Sequence, residues 1–170
     1  MVGGQERFDV LSRCLLNLYP WKERMNIDIS LLFYFSHPNE NKALNIPISS
    51  LKTTLQNELD STRELISIIS DPTKYGCRYE STSFEDLIIS LANQSILCYL
   101  SSHGNSLDNT IKTIQNENSL CFVLGSQYDL TEEQEERLSN EGAITISVGE
   151  KEYLASHVIT IICYYLSKNL

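Results

Sequence analysis

Three charged side chains near the N-terminus have the types and spacing to recognise a polar ring. Arg7, Asp9 and Arg13 recur on a predicted helix whose apolar stripe faces inward. Asp9 and Arg13 stand four residues apart, so they can form a helix ion pair that is worth a few tenths of a kcal/mol. The same carboxylate and guanidinium could instead hold the hydrogen-bonding edge of a pyrimidine. The spacing alone leaves both interpretations open.

Small residues follow three apolar stretches in the second half of the chain. Gly104, Gly125 and Gly149 each come shortly after a predicted strand. Ligands of open α/β sheets bind at the carboxyl ends of parallel strands, and glycine there lets the backbone approach an adenine or a ribose. The alternative is that these glycines only form tight turns. Neither GxGxxG nor GxxxxGK[ST] occurs, so the sequence offers no conventional dinucleotide site and no P-loop.

The apolar periodicity predicts an α/β fold that would position these residues. Helices are expected at 5–18, 51–69, 83–92, 131–138 and 151–166, and strands at 27–35, 95–100, 120–124 and 143–148. Thr131 and Gln134 have the spacing of a capping box. Strands with continuous rather than alternating apolar residues indicate a mostly parallel sheet that is covered by helices on both faces.

Length and charge exclude several classes of protein. A chain of 170 residues is expected to form a single domain with a real core. Thirteen Lys and Arg against twenty-two Asp and Glu give a net charge of -9, which argues against a broad basic surface for nucleic acid but leaves room for a small basic patch. Neither a signal core nor an apolar run of the ~20 residues that span a membrane is present. We therefore expect a soluble, cytoplasmic protein.

The remaining reactive residue types indicate structure rather than chemistry. The five cysteines form no CxxC pair, and the three histidines are far apart, so we expect reduced, structural thiols and no metal site. No GxSxG motif is present, and His157 in the last helix is interpreted as a packed or interface residue. That helix carries more apolar surface than one sheet face needs, which predicts a homodimer interface, with burial inside the chain as the alternative.

Three stretches carry a family signature. The first is QERFDVLSRC at 5–14, with Arg7, Asp9, Arg13 and Cys14; the second is LCFVLGSQYDLTEEQEERL at 120–138; the third is ITISVGEKEYLASHVITIICYYL at 144–166. In this order they resemble the archaeal-type tRNA pseudouridine-54 N1-methyltransferases of the SPOUT superfamily. The third stretch resembles the C-terminal signature of that family almost position by position. The resemblance covers most of the chain.

The resemblance implies one SPOUT methyltransferase domain over 1–170, with a trefoil knot and a homodimeric assembly. The family normally carries an additional N-terminal strand before the Arg-Asp segment, and this sequence is expected to lack it. The implied cofactor is S-adenosylmethionine, held in the loops 100–104, 124–126 and 147–158. By residue match, the cofactor-binding positions are Leu100, Gly125, Ser147, Val148, Gly149, Leu154 and Val158.

The implied reaction is methylation of N1 of a pseudouridine in the TΨC arm of tRNA. Asp9 would assist loss of the N1 proton, and Arg13 would orient the base or stabilise its developing anion. Arg7 and Arg78 would contact the RNA. The alternative function is a knotted binding or regulatory module that has lost RNA methylation, which the acidic surface and the scarcity of basic residues motivate.

Overall fold

The chain divides into two compact units, Met1–Ser83 and Phe84–Leu170. The structure is a computed structural model, and it describes residues 8–36, 40–114, 119–125, 129–151 and 153–169. No helix within these ranges is long and apolar enough to cross a membrane.

The first unit contains two helices, which contact each other, and a three-stranded antiparallel sheet. Its elements are α1 (Phe8–Leu18), β1 (Ser30–Phe35), β2 (Lys42–Pro47), α2 (Glu58–Ser70) and β3 (Tyr79–Ser81), with strand order β1-β2-β3. Both strand pairs are antiparallel, so the prediction of a mostly parallel sheet is wrong for this unit. Leu44 and Ile46 are fully buried and form the centre of its core.

Helix α2 begins seven residues later than the predicted start at 51. Asn57 is its N-cap, with the side-chain oxygen accepting a hydrogen bond from the N–H of Asp60 at 3.0 Å. The preceding segment is held outside the helix by the buried carboxylate of Glu64. That carboxylate accepts hydrogen bonds from the N–H groups of Lys52 and Thr53 and from the Thr53 hydroxyl, at 2.9, 3.2 and 2.8 Å.

The second unit is a three-stranded parallel sheet flanked by helices, as the continuous apolar strands predict. Its elements are α3 (Phe84–Ala92), β4 (Ile96–Ser106), α4 (Leu107–Ile114), β5 (Leu120–Val123), α5 (Glu132–Asn140), β6 (Ile144–Ser147) and α6 (Ala155–Asn169). The strand order is β5-β4-β6, and both strand pairs are parallel. Helices α3 and α5 contact each other, as do α4 and α6. The predicted capping box of α5 is confirmed at Thr131 and Gln134.

Strand β4 does not end at Leu100 as expected. It continues to Ser106, and both Leu100 and Asn105 pair with Ile146 of β6, so the four residues between them form an irregularity in the ladder. A Cβ atom on Gly104 would lie only 2.4 Å from the carbonyl carbon of Ile146. This glycine is therefore required by the close approach of two strands of the protein itself.

Helix α6 buries most of its apolar residues inside the second unit. Ile159 and Ile162 are only 6% and 4% exposed, which agrees with burial inside the chain. Tyr164 remains 45% exposed and contacts Tyr165 edge to face, with ring centroids 5.8 Å apart. The unpartnered apolar surface of the helix is therefore narrower than the sequence indicates.

Candidate active site

The carboxyl ends of β4, β5 and β6 lie side by side at one edge of the parallel sheet. In the register, Tyr99 of β4 pairs with Val123, and Leu100 pairs with Ile146. The residues that follow these pairs, Gly125 after β5 and Ser147 to Gly149 at the end of β6, therefore leave the sheet at the same edge. The segments of Gly125 and Gly149 are therefore neighbours at this edge, as predicted, whereas Gly104 lies inside β4 against the main chain of Ile146 and not in a loop after the strand.

The turn after β6 is fixed by a serine. The Ser147 hydroxyl donates to the carbonyl of Gly149 at 3.0 Å and accepts from its N–H at 3.2 Å. Gly149 has a φ of +144°, a conformation that side-chain-bearing residues rarely adopt. The ring of Tyr153 lies against this glycine, since a Cβ there would be 3.3 Å from the tyrosine hydroxyl. The turn thus presents exposed main chain beside an aromatic ring.

The segment before α6 adds exposed apolar side chains to the same loop. Tyr153 and Leu154 are 43% and 54% exposed. The Leu154 carbonyl accepts hydrogen bonds from the N–H groups of His157 and Val158 at 2.8 and 3.1 Å, which starts the helix. The side chain of Val158 is buried inside the unit, so it can stabilise the loop before α6 by packing and is not available for contact with a ligand. The sequence analysis does not predict Tyr153 as a site residue. Only its contact with Gly149 in the folded chain identifies it as part of this loop site.

These loops suit a flat heterocycle joined to a polar sugar. Leu100, Val148 and Gly125 are half-buried, and Gly149 is exposed, so the edge offers apolar side chains and accessible main chain together. Glycine positions allow close approach of a ligand, and main-chain N–H and C=O groups supply directional hydrogen bonds. Residues 126–128, at the end of the β5 loop, lie outside the described residues.

In the first unit, Asp9 and Arg13 form the ion pair that their spacing predicts. Arg13 Nη2 donates to Asp9 Oδ2, and Arg13 Nε donates to the Asp9 carbonyl oxygen at 2.9 Å. Both side chains remain about a third exposed, at 31% and 37%. Helix α1 is anchored to α2 by the Ser61 hydroxyl, which donates to the Ser12 carbonyl at 2.6 Å. The pair therefore presents a partly exposed carboxylate and guanidinium that are bonded to each other on a helix anchored to α2.

The structure describes only one of the two other predicted substrate-binding residues. Arg7 lies outside the described residues. Arg78 is exposed, directly before β3, and within the described part of the chain its guanidinium makes no hydrogen bond or ion pair.

The cysteine thiols are unsuited to nucleophilic chemistry. Burial raises the pKa of Cys14 to about 11, against a small opposing effect of the Arg13 charge, and it raises the pKa of Cys163 to about 12. A thiol with so high a pKa stays protonated at neutral pH. All five cysteines are free, which agrees with the predicted reduced state.

Comparison with known proteins gives a concordant result over nearly the whole chain. Residues 1–169 match the model of a family described as SAM-dependent RNA methyltransferases. The tRNA (pseudouridine(54)-N(1))-methyltransferase of Thermococcus gammatolerans is 32% identical over 178 residues, covering 96% of this chain and 85% of the relative. The enzyme of the same name from Methanococcus aeolicus is 29% identical, covering 98% of this chain and 87% of the relative.

A solved structure shares the fold. The crystal structure of Archaeoglobus fulgidus Nep1 bound to S-adenosylhomocysteine superimposes with a TM-score of 0.61 at 12% sequence identity. The match covers 94% of this chain and 69% of that chain.

Proposed function

The chain belongs to the family of SAM-dependent RNA methyltransferases, and on that premise we propose that it methylates N1 of pseudouridine in the TΨC arm of tRNA. The observation that carries this proposal is the near full-length similarity to relatives named tRNA (pseudouridine(54)-N(1))-methyltransferase. A tRNA substrate would place the enzyme in the cytoplasm.

The loops at the carboxyl edge of the parallel sheet are proposed to hold S-adenosylmethionine, which supplies an electrophilic methyl group when bound. The main chain of Ser147, Val148 and Leu154 would hold the adenine, and Gly125 would lie against the ribose. The exposed side chain of Leu154 supports this assignment, because it can cover the face of a purine. Leu100 and Gly149 would complete the walls, and Val158 would support the loop from inside the unit.

Asp9 and Arg13 are proposed to act on the target base. Pseudouridine carries a hydrogen on N1, and methylation of this nitrogen replaces the N–H bond by an N–CH₃ bond. Asp9 would accept the departing proton, which is the role of a general base. Arg13 holds the Asp9 carboxylate in place and would donate to the ring oxygens, where negative charge develops. Arg7 and Arg78 would contact the RNA around the base.

We further propose that residues 1–170 act as one SPOUT domain, built from both compact units, that contains a trefoil knot and forms a homodimer. The resemblance of the sequence to SPOUT methyltransferases supports the knot, and the structural likeness to Nep1 supports the fold. Exposed Tyr164 on α6 supports a homodimer interface, since a large aromatic side chain gains from burial.

The proposed roles are tested by methyl transfer to a pseudouridine-containing RNA stem–loop, with calorimetric titration of S-adenosylhomocysteine in parallel. We expect Asp9→Asn to slow transfer roughly 100-fold or more, because general-base catalysis contributes ~10²–10⁴-fold. Cofactor affinity should stay unchanged, and Glu23→Gln is a matched control that removes an exposed carboxylate from the same unit.

Two results would contradict this account. Transfer at the wild-type rate by the double variant Asp9→Ala, Arg13→Ala would exclude the roles of these residues. Failure of the folded wild-type protein to bind S-adenosylhomocysteine would favour a binding module that has lost methylation.

A further inference from the structure

A cleft on the first unit has features of a nucleobase site; Arg78, a proposed RNA contact, lines it, whereas Asp9 and Arg13 do not. We propose that it binds an unpaired guanine base of the substrate RNA, as a contact additional to the methylated nucleotide. This inference rests on the proposed function, because it assumes an RNA substrate. The cleft has a volume of about 380 Å³, within the range of small-ligand sites of roughly 300–1,000 Å³.

The floor of the cleft is the open face of the antiparallel sheet. Ala43, Asn45 and Pro47 alternate along β2 and therefore point to one face, while Leu44 and Ile46 point to the other. Ala43 is only 3% exposed, so Asn45 and Pro47 provide most of the accessible surface of β2 in the cleft. In the register, Leu32 of β1 lies opposite Asn45, which places it on the cleft face too. This gives an apolar floor, on which the face of an aromatic ring can lie, with one amide group in it.

One wall of the cleft is a rigid segment that ends at Arg78. Gly76 adopts a left-handed conformation with a φ of +67°, and its N–H donates to the Thr73 carbonyl at 3.0 Å. The N–H of Cys77 donates to the Pro72 carbonyl at 2.9 Å, and the Cys77 side chain is buried. These bonds fix the backbone from which the guanidinium of Arg78 projects at the rim of the cleft.

Three polar side chains around this cleft have no partner among the described residues. Asn45, Arg78 and Glu80 line it, and in the described ranges their side chains make neither a hydrogen bond nor an ion pair. Glu80 also lies opposite Ala43 in the β2–β3 register, so its carboxylate borders the apolar floor. The cleft therefore offers an acceptor-only group, a donor-only group and an amide that does both.

Guanine is the base that matches this set. Its N1–H and N2 amino group present two adjacent donors, which suit a carboxylate. Its O6 and N7 present two adjacent acceptors, which suit a guanidinium that donates in a fork. Adenine and uracil have neither adjacent pair, and cytosine has only a pair of acceptors. Glu80 is therefore assigned to N1–H and N2 of the Watson–Crick edge, and Arg78 to O6 and N7. Asn45 is assigned to N3, the remaining ring acceptor.

The charge distribution favours RNA contact on this unit. Residues 1–83 carry nine of the thirteen Lys and Arg with ten Asp and Glu, a net charge of -1. Residues 84–170 carry the other four with twelve Asp and Glu, a net charge of -8, and the two values make up the total of -9. Phosphate groups are repelled by an acidic surface, so the first unit is the more favourable place for a second RNA contact.

The test compares two synthetic stem–loop RNAs that carry the same pseudouridine and differ only in one unpaired loop nucleotide, guanosine or inosine. Inosine lacks the N2 amino group and so loses one hydrogen bond to Glu80. We expect the wild-type protein to bind the guanosine RNA several-fold more tightly, as measured by fluorescence anisotropy. This comparison requires no change in the protein.

Variants of the cleft residues then show which side chains distinguish the guanosine RNA from the inosine RNA. We expect Glu80→Ala, which removes the acceptor, to bind both RNAs equally. Arg78→Ala should weaken binding of the guanosine RNA roughly 5- to 150-fold, which is the effect of one bidentate base contact. Arg78→Lys should recover little, because an ammonium cannot donate in a fork. Arg63→Ala and Glu23→Gln are matched controls that change the same charges at exposed positions outside the cleft.

The outcomes separate this inference from the proposed function. If the wild-type protein methylates the RNA but ignores the exchange of guanosine for inosine, the guanine site is wrong and the proposed function stands. If Arg78→Ala weakens both RNAs by the same factor, Arg78 contacts phosphate rather than base, which also overturns the guanine site. If the cofactor-binding protein neither binds nor methylates either RNA, both proposals fail.

Discussion

Replacement of Gly104 by alanine tests how the carboxyl edge of the parallel sheet is built. A Cβ at this position would lie 2.4, 2.6 and 2.6 Å from the carbonyl carbon, Cα and N of Ile146. Ordinary contacts between carbon atoms are about 3.5–4.0 Å, so β6 would have to move by about 1 Å. All three atoms are main chain within the β4–β6 ladder and cannot turn aside as a flexible side chain could.

The expected cost follows from this geometry. Overpacking typically destabilises a protein by about 1–3 kcal/mol, and a clash with main chain belongs at the upper end. We expect Gly104→Ala to lower the free energy of unfolding by about 3 kcal/mol. For a chain of this size, that corresponds to a fall of roughly 6–12 °C in the melting temperature measured by circular dichroism.

Gly142 provides the matched control. It has a φ of +76° with no atom within 4 Å of the position of a Cβ, so alanine there costs only the left-handed conformation, about 1–2 kcal/mol. Asparagine tolerates this conformation, so Gly142→Asn should recover part of the loss, whereas no side chain should be tolerated at Gly104. If Gly104→Ala melts at the wild-type temperature, the close approach to Ile146 is wrong.

Three further predictions concern stability. Glu64→Ala should lower the free energy of unfolding, measured by urea denaturation, by about 1–3 kcal/mol, because two backbone N–H groups and a hydroxyl lose their acceptor. Glu64→Gln should lower it by less, and an equal decrease for both variants would contradict this role. Thr131→Ala should cost about 1 kcal/mol through loss of the α5 cap, and an unchanged melting temperature would exclude that role. Burial raises the pKa values of the Cys14, Cys98 and Cys163 thiols, so above about pH 9 the unfolded chain loses thiol protons that the folded chain keeps. The free energy of unfolding should therefore fall as the pH rises towards about 11. A flat profile in denaturant titrations at pH 8–11 would contradict the burial of these thiols.

The features predictable from the sequence are those set by local contacts. The α5 capping box and the Asp9–Arg13 pair each join residues three or four positions apart, so spacing alone identifies them. The parallel sheet of the second unit was predictable because strands buried on both faces read as continuous apolar runs.

The features that the sequence did not reveal depend on distant contacts. Strand β2 contains Asn45 and ends at Pro47, so it lacks the apolar run that identifies a strand, and only its pairing with β1 and β3 defines it. Helix α2 starts late because Glu64 holds the main chain of residues eleven and twelve positions earlier. The cleft joins Asn45 to Arg78 and Glu80, which lie more than thirty positions later, and no short-range pattern connects them.

The most direct test of the central claim is methyl transfer from labelled S-adenosylmethionine to two RNA stem–loops that differ only at the target nucleotide. One carries pseudouridine and the other carries uridine, whose N1 is bonded to the ribose and has no hydrogen to replace. We predict that only the pseudouridine RNA acquires label, with the methyl group on N1 by mass spectrometry of the nucleosides. Equal labelling of both RNAs, or no labelling of the pseudouridine RNA by a protein that binds the cofactor, would contradict the proposed function.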